Sequence, residues 1–232
     1  MCVRCGEAMD LDGLQYKKQF GAPAIVCGPC RMTPPQFERA AAWGVYEDEM
    51  RELVHLLKYE RVSAAARPLG ALLAQTMASM ANAGMPRELV VIAVPLYGAK
   101  QRQRGYNQSV LLADEAAKAL DRRAWQLQLA HSALRRVRDT ESQFELSPTG
   151  RRRNLKGAFV VADPAAVAGR DVLLVDDIYT TGATARECSR VLRQAGAKSV
   201  WVATLARAQR EMVELWGAKE AKPHEVRKQS SQ

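Results

Sequence analysis

The sequence predicts an α/β fold in which a parallel sheet is flanked by helices, with a small separate unit at the N-terminus. Two apolar runs, residues 89–94 and 172–175, have the length and β-branched content of central parallel strands that are covered on both faces. Apolar residues at helical spacing follow each run. Four of the five cysteines lie within the first 30 residues, which sets that stretch apart.

We divide the chain of 232 residues into three parts. Residues 1–35 are expected to form a cysteine knuckle that ends at Pro34 and Pro35. Residues 36–206 are expected to form the α/β domain, which is large enough to be stable unaided. In residues 207–232 charges of both signs alternate with few apolar anchors, so we expect a partly disordered tail.

The first part of the α/β domain contains a short strand at 43–46 and two helices. In residues 48–58 apolar residues recur at helical spacing, with Asp48 and Glu49 at the start and Lys58 at the end, where their charges suit the helix dipole. Residues 63–81 repeat the pattern, and Pro68 disturbs the start of that helix.

The second part alternates strands with helices. The sequence predicts a helix at 108–120 and strands at 127–130, 159–161 and 200–205. It also predicts a helix that begins at the threonines of residues 180–184 and is closed by Gly196. Ser147 and Pro148 predict the start of a short helix. The three histidines show no pattern of a catalytic site.

The net charge of +9 favours an anionic partner. One basic cluster contains Lys100, Arg102 and Arg104. The other contains Arg135, Arg136, Arg138, Arg151, Arg152, Arg153 and Lys156. A polyphosphate and a nucleic acid fit this charge equally well, and a run of charges is most often a solvated face.

No membrane span is expected, because the longest apolar run falls far short of the roughly 18 residues that a span requires. The N-terminus also lacks a signal-peptide pattern. We therefore expect a cytoplasmic protein that is not an integral membrane protein.

The N-terminal stretch carries two Cys-x-x-Cys pairs, Cys2 with Cys5 and Cys27 with Cys30. Four thiolates in two such turns can converge tetrahedrally on Zn²⁺, and a cytoplasmic protein rarely keeps them as disulfides. A redox or degenerate site is the alternative. Because four protein ligands leave no position open for a substrate, we expect a structural zinc ion without which the knuckle does not fold.

The stretch after the run at 172–175 carries the candidate chemistry. Asp176 and Asp177 fall at the carboxyl edge of the predicted strand, where ligands bind in open α/β sheets. Residues 180–184 then lead into a helix, whose free N–H groups and threonine hydroxyls suit a phosphate. Carboxylates repel an anion, so we expect them to accept hydrogen bonds from sugar hydroxyls or to reach Mg²⁺. Ribose 5-phosphate offers both groups; a plain turn and helix cap is the alternative.

The residues after the run at 89–94 indicate a second anion site. They are cationic, contain glycines and precede a helix, and that order of elements can hold phosphate. The candidate residues are Lys100, Arg102 and Arg104 for charge and Tyr106 and Asn107 for positioning. A solvated loop is the alternative.

The stretch at 172–184, an apolar run followed by Asp-Asp-x-x-Thr-Thr-Gly-x-Thr, resembles the phosphoribosyl pyrophosphate (PRPP) motif of type I phosphoribosyltransferases. The resemblance implies a type I phosphoribosyltransferase-like sheet in which Asp176 and Asp177 contact the ribose hydroxyls. It implies that the 5-phosphate is held by Thr180, Thr181, Gly182, Ala183 and Thr184. The early loop that meets the pyrophosphate in that family corresponds to the segment after residue 94.

Three further stretches resemble the ComF family, phosphoribosyltransferase-like proteins associated with natural competence. They are the cysteine pairs, Arg-Gly-Tyr-Asn-Gln at 104–108, and Arg-Arg-Arg-Asn-Leu-Lys-Gly-Ala-Phe at 151–159. The resemblance covers about residues 1–206. One departure is Ser142, which stands where a family proline is expected before Gln143.

The reaction implied by the resemblance is displacement of pyrophosphate from C1 of PRPP by a nitrogen nucleophile. Mg²⁺ would accompany PRPP, and cations would stabilise the leaving group. Catalytic roles are expected for Asp176, Asp177, Lys100 and Arg104. The arginine-rich stretch 138–154 lies where type I enzymes carry a mobile lid. No Ser/His/Asp or Cys/His arrangement indicates a covalent nucleophile.

We therefore expect a PRPP-binding protein of ComF type that acts in DNA uptake, with phosphoribosyl transfer as the favoured enzymatic activity. PRPP or another ribose 5-phosphate is the expected ligand. Single-stranded DNA and proteins of the competence machinery are further candidate partners, although few aromatic residues interleave with the basic clusters. A Mg²⁺-dependent phosphoribosyltransferase of nucleotide metabolism and a PRPP sensor with neither activity are the alternatives.

Overall fold

The structure, a computed structural model, describes residues 1–9, 25–59, 63–139, 150 and 154–208. The strands are β1 (Arg39–Val45), β2 (Glu88–Ala93), β3 (Gln126–Leu129), β4 (Leu134–Arg136), β5 (Phe159–Val161), β6 (Asp171–Tyr179) and β7 (Ser199–Arg207). The helices are α1 (Gly28–Met32), α2 (Asp48–Tyr59), α3 (Ala66–Asn82), α4 (Gly98–Arg104), α5 (Gln108–Ala119) and α6 (Ala183–Gln194).

Five of the strands form a parallel sheet in the order β1-β7-β6-β2-β3, with β6 at its centre. Alternate residues of β6 pack on opposite faces. Leu173 and Val175 contribute to the core shared with α2, α3 and α5, whereas Val172 and Leu174 contribute to the core shared with α6 and the N-terminal knuckle. The predicted fold class, a parallel sheet flanked by helices, is therefore confirmed.

Three predicted elements differ in detail from the observed ones. β1 begins before the predicted 43–46, because the alanine-rich first half of this edge strand carries little apolar signal. The helix predicted at 63–81 begins with a 3₁₀ turn at Ser63–Ala65, and Pro68 lies in the first turn of α3, where its missing N–H is not needed. The strand predicted at 159–161 is β5, which pairs with β4 outside the main sheet.

The cationic segment after β2 is helical, whereas the sequence suggested a loop. It forms α4, because alanine, lysine, glutamine and arginine are all favourable in helices. Gly105 ends the helix in the left-handed conformation, with φ 87°, and its N–H donates to the carbonyl of Gln101.

The N-terminal knuckle packs onto the α/β domain. Its four cysteines are buried in the same core as Phe37 and Tyr179. Arg4 donates to the carbonyl and carboxylate of Glu38 at 3.2 Å, and the Ala40 N–H donates to the carbonyl of Arg4 at 2.7 Å. The domain boundaries at residues 35 and 206 stay predictions.

Some predictions fall outside the described residues. They concern the tail beyond residue 208, the helix start at Ser147, the departure at Ser142 and most of the stretch 138–154, including its three consecutive arginines.

The longest helix of the described residues is α3, with 17 residues. No helix in that part of the chain is both long and apolar enough to cross a membrane.

Candidate functional site

The acidic pair lies where the central strand has a partner on one side only. β2 pairs with β6 as far as Ala93 opposite Val175, whereas β7 stays paired with β6 as far as Tyr179 opposite Arg207. The sequence predicted that the strand ends at Val175; it is longer because β7 continues beside it. Residues 176–179 therefore have one open edge, and the start of α5 packs against it.

Asp176 is half-buried, and its carboxyl group is held in one orientation. Its Oδ1 accepts hydrogen bonds from Ser109 Oγ and from the N–H of Asp177, both at 3.0 Å. Its Oδ2 accepts none from the described residues. Burial, together with the charge of Asp177, raises the pKa of Asp176 to about 7. One oxygen of a fixed carboxyl group is therefore available to a ligand.

Asp177 is buried and paired with a cation. Lys58 Nζ lies 2.9 Å from Asp177 Oδ2, and Gln108 Nε2 donates to the same oxygen at 3.1 Å. Burial alone would lower the pKa of Lys58, but attraction to Asp177 outweighs it and raises this pKa. Arg104 in turn donates to Gln108 Oε1 at 2.5 Å. The two neighbouring acids thus have different surroundings.

The loop after β6 turns into α6 at Gly182. This residue is left-handed, with φ 72°, and a Cβ atom there would lie 2.1 Å from Tyr179 Oη, so only glycine fits. α6 begins at Ala183, within the threonine stretch 180–184 at which the sequence predicts its start, and no side chain caps it. No threonine side chain therefore caps this helix, and its first N–H groups have no side-chain partner among the described residues.

A small cavity adjoins this loop. It measures about 20 Å³ and is lined by Asp176, Thr180, Gly182 and Thr184, among others. That is room for about one water, so a ribose phosphate could be seated only at its rim. In the same loop Thr181 Oγ1 is buried without a hydrogen-bond partner among the described residues. A buried hydroxyl without a partner is costly, which marks this position as one where a ligand would supply the missing contact.

The cationic segment contributes both exposed charges and internal contacts. Lys100 and Arg102 are exposed on α4. Tyr106 Oη donates to the carbonyl of Leu57 at 2.5 Å. Asn107 caps α5 by accepting from the N–H of Ser109 at 2.9 Å, and it donates to the carbonyl of Val94 at 3.0 Å. These two side chains position the segment, and their predicted contact with PRPP stays a prediction.

Sequence reasoning did not identify Lys58, Gln108 or Ser109 as part of the site. Gln108 and Ser109 form the first turn of the helix after the cationic segment, a position that could have indicated them. Lys58 offered only the signal of a cation at a helix end. None of the three lies near the motif in the sequence, so their contacts with Asp176 and Asp177 depend on tertiary packing.

His131 and Asp114 form another polar pair near the end of β2. The Ala93 N–H donates to His131 Nδ1 at 3.1 Å, so the proton of the neutral ring lies on Nε2, 3.0 Å from Asp114 Oδ1. Both ring nitrogens are engaged, which assigns His131 a structural role.

The four N-terminal cysteines could hold a metal ion. Their Sγ atoms all lie within 4.8 Å of one another, and those of Cys5 and Cys27 are 3.6 Å apart. Tetrahedral coordination with Zn–S bonds of about 2.3 Å requires sulfur atoms roughly 3.8 Å apart, so the arrangement fits Zn²⁺. Arg186 Nη2 donates to Cys30 Sγ at 3.3 Å, and the Cys27 N–H donates to Cys2 Sγ at 3.3 Å, contacts that stabilise thiolates. A cavity of about 740 Å³ between the knuckle and β1 is lined by Cys2, Cys5 and Cys27 among others, and none of residues 176–184 lines it.

A parallel sheet with paired acids and an uncapped helix N-terminus at one edge is the arrangement of α/β proteins that bind nucleotides or sugar phosphates. Residues 106–228 match the family model described as phosphoribosyl transferase domain. The DNA utilization protein YhgH of Salmonella typhi is 37% identical over 188 residues, which cover 81% of this chain and 80% of the relative. Competence protein F of Haemophilus influenzae is 33% identical over 212 residues, which cover 89% and 84%.

Among solved structures, the allosteric regulatory enzyme of purine biosynthesis aligns with 66% of this chain and 30% of its own, at 23% identity and a TM-score of 0.43, a likeness too distant to carry an argument. The family model and the two relatives are sufficient by themselves to establish the family of this chain. The chain belongs to the phosphoribosyl transferase domain family, within the ComF group that includes YhgH and competence protein F. The resemblance inferred from the motifs is confirmed.

Proposed function

We propose that this chain binds PRPP at the rim of the cavity beside Asp176 and serves DNA uptake or utilization as a phosphoribosyltransferase-like protein. The observation that supports this best is that residues 176–185 contain three polar groups without a side-chain partner among the described residues. They are Asp176 Oδ2, the uncapped N–H groups at the start of α6, and the unpartnered hydroxyl of Thr181.

These groups suit two parts of the ligand, the ribose and the 5-phosphate. Ribose hydroxyls would donate to Asp176, because an ionised carboxylate only accepts hydrogen bonds. The 5-phosphate would accept from the N–H groups of α6 and from Thr181. Gly182 has no Cβ and so allows the phosphate close to the backbone. Thr180, Ala183 and Thr184 complete the predicted loop.

The pyrophosphate of PRPP would lie toward the cationic segment. Lys100 and Arg102 on α4 are exposed and can turn toward a polyphosphate, while Arg104 is anchored through Gln108 to the acidic pair. Mg²⁺ would arrive bound to PRPP and neutralise the charge that develops on the leaving pyrophosphate. Lys100 and Arg104 would stabilise the same charge, which is the catalytic role proposed for them.

The role in DNA uptake is supported by the names of the relatives, DNA utilization protein and competence protein F. A Mg²⁺-dependent transferase of nucleotide metabolism is the second candidate, and the match to the phosphoribosyl transferase domain favours it. Pyrophosphate release from PRPP, assayed with a panel of bases, distinguishes them: turnover with one base supports the transferase.

Replacing Asp176 with asparagine is expected to weaken PRPP binding at least tenfold, about 1.4 kcal/mol. Asparagine fills the same space but loses the negative charge that accepts two sugar hydroxyls. Isothermal titration calorimetry of the MgPRPP complex measures the change. Because the pKa of Asp176 is raised to about 7, the wild-type affinity should rise as pH increases through 7, and the wild-type advantage over Asp176→Asn should shrink below it.

The matched control is Asp121→Asn, since Asp121 is exposed at the start of a turn far along the chain from the motif. Its affinity for PRPP should equal that of the wild type. Wild-type affinity in the Asp176→Asn variant would contradict the proposed ribose contact.

Binding of single-stranded DNA should depend on the exposed charges of α4. In the second basic cluster Arg138 donates to the carbonyls of Asn154 and Lys156, and Arg136 lies over the ring of Phe159, so these two are engaged within the protein. The exposed cations of α4 are therefore the better test.

The double variant Lys100→Ala/Arg102→Ala should bind a fluorescent oligonucleotide more weakly and lower the slope of log affinity against log salt by about 1.4, because each lost phosphate contact contributes about 0.7. Fluorescence anisotropy between low and moderate KCl measures the slope. Arg122→Ala/Arg123→Ala removes the same charge from an exposed turn and should leave the slope unchanged. Equal slopes for all three proteins would exclude α4 from a DNA site.

A further inference from the structure

The two acids of the motif point to opposite sides of β6, because successive side chains of a strand alternate between faces. Asp176 lines the small cavity together with Thr180 and Gly182. Asp177 is absent from that lining and contacts Lys58 and Gln108 instead. The resemblance to the PRPP motif assigns both acids to the ribose, whereas the geometry separates them.

Lys58 lies beside the two acids Asp176 and Asp177 and is itself shielded from solvent. Its side chain is 16% exposed and that of Asp177 is 6% exposed. A buried ion pair contributes little net stability, because the loss of hydration offsets most of the attraction. Stability therefore does not explain the Lys58–Asp177 ion pair. Asp177 is next to Asp176, the residue that we propose to contact the ligand, so an effect on ligand binding can explain it.

Lys58 lowers the net negative charge of the site formed by Asp176 and Asp177. Two adjacent carboxylates without a cation would repel each other, and both would resist ionisation. With the Lys58 ammonium 2.9 Å from Asp177, the site holds two carboxylates and one cation. Asp176 can then carry the single net negative charge that faces the rim.

The end of α2 that carries Lys58 is itself fixed against the cationic segment. Tyr106 Oη donates to the carbonyl of Leu57 at 2.5 Å. Gln108 bridges Asp177 to Arg104. Lys58 is thus one of several contacts that bring α2, the α4–α5 segment and β6 to a common point.

We propose that Lys58 is a positioning residue for PRPP, which holds Asp177 inward and compensates its charge so that Asp176 alone presents a carboxylate to the ribose. This inference rests on the proposed function. It makes the acids unequal: Asp176 contacts the ligand, and Asp177 acts through its pairing with Lys58.

The test compares PRPP affinity in four variants by calorimetry. Lys58→Met keeps an unbranched side chain of similar length and removes its charge, and it should weaken binding about tenfold. Lys58→Arg keeps a cation and should recover most of the affinity. In Lys58→Met/Asp177→Asn both charges are gone and Asp176 again faces the ligand alone, so affinity should return to within about threefold of wild type. The control is Lys118→Met, an exposed lysine of α5 that should bind as the wild type does.

Two results would overturn the inference while leaving PRPP binding in place. Unchanged affinity in Lys58→Met would remove Lys58 from the site. A double variant as weak as Lys58→Met would mean that Lys58 or Asp177 contacts the ligand directly. Removal of both members of a buried ion pair can also restore stability, so each affinity is measured well below the thermal unfolding midpoint of that variant. Weak PRPP binding by folded Lys58→Met then excludes a merely structural role. If the wild type binds no PRPP, the proposed function fails and this inference fails with it.

Discussion

Cys27→Ala is expected to lose a bound zinc ion and to lower the midpoint of thermal unfolding by about 6–12 °C. The estimate takes a loss of about 3 kcal/mol, a modest part of the free energy that a structural zinc site contributes, at roughly 2–4 °C for each kcal/mol in a chain of this size. The four cysteines are buried in the main core, so the effect of losing the metal should extend beyond the knuckle.

The contacts between knuckle and domain predict an effect on the candidate site as well. Arg207, at the end of β7, donates to the carbonyl of Cys5 and to Glu7, and its guanidinium lies 4.5 Å from the ring centroid of Tyr179. That ring packs against Gly182 in the loop between β6 and α6. Loss of the metal should therefore weaken PRPP binding together with stability.

Metal content by plasma mass spectrometry and unfolding by calorimetry test this expectation. Cys188→Ala is the matched control, because Cys188 is a buried cysteine of α6 outside the cluster, and this variant should retain one zinc ion per chain. A wild-type protein that is folded after gentle purification and contains no zinc would refute the proposed site.

Gly182→Ala is expected to destabilise the fold by at least about 3 kcal/mol and to abolish measurable PRPP binding. A left-handed conformation costs a non-glycine residue roughly 1–2 kcal/mol. The added methyl group would also lie 2.1 Å from Tyr179 Oη and 2.4 Å from Cζ, so the ring or the loop must move. Tyr179 is held between Phe37 and Arg207, which leaves the loop as the part that gives way.

Gly169→Ala isolates the contribution of the contact with Tyr179. Gly169 has nearly the same backbone angle, with φ 70°, and a Cβ atom there would meet nothing within 4 Å. It should cost only about 1–2 kcal/mol in urea unfolding and leave PRPP affinity unchanged. Equal losses in the two variants would show that the contact with Tyr179 is unimportant.

The long central strands and the helices that cover them were predictable because their apolar patterns are strong and local. The helix α4 was missed because glycine and charged residues suggested a loop, although its interior consists of favourable helix residues. The predicted end of β6 was too early, because two acids after an apolar run usually indicate the end of a strand. The strand continues to Tyr179 because it pairs with β7, and no local pattern in the sequence reveals that pairing.

The candidate site divides in the same way. The cysteine pairs, the acidic pair and the threonine loop are contiguous motifs, so their chemistry was visible in the sequence. Ser109 and Gln108 belong to another helix, and the hydrogen bonds that they make to Asp176 and Asp177 exist only because α5 packs on the open edge of β6.

By itself the sequence determined the class of fold, the four clustered thiols and the stretch that makes this chain a phosphoribosyl transferase domain protein, because each depends on residues close together in the chain. Only the tertiary structure decided that Asp176 faces the cavity and that Asp177 is paired with Lys58. The alternation of a strand guarantees that adjacent side chains diverge, but which of the two faces a buried cation depends on how α2 packs, a property of the whole core.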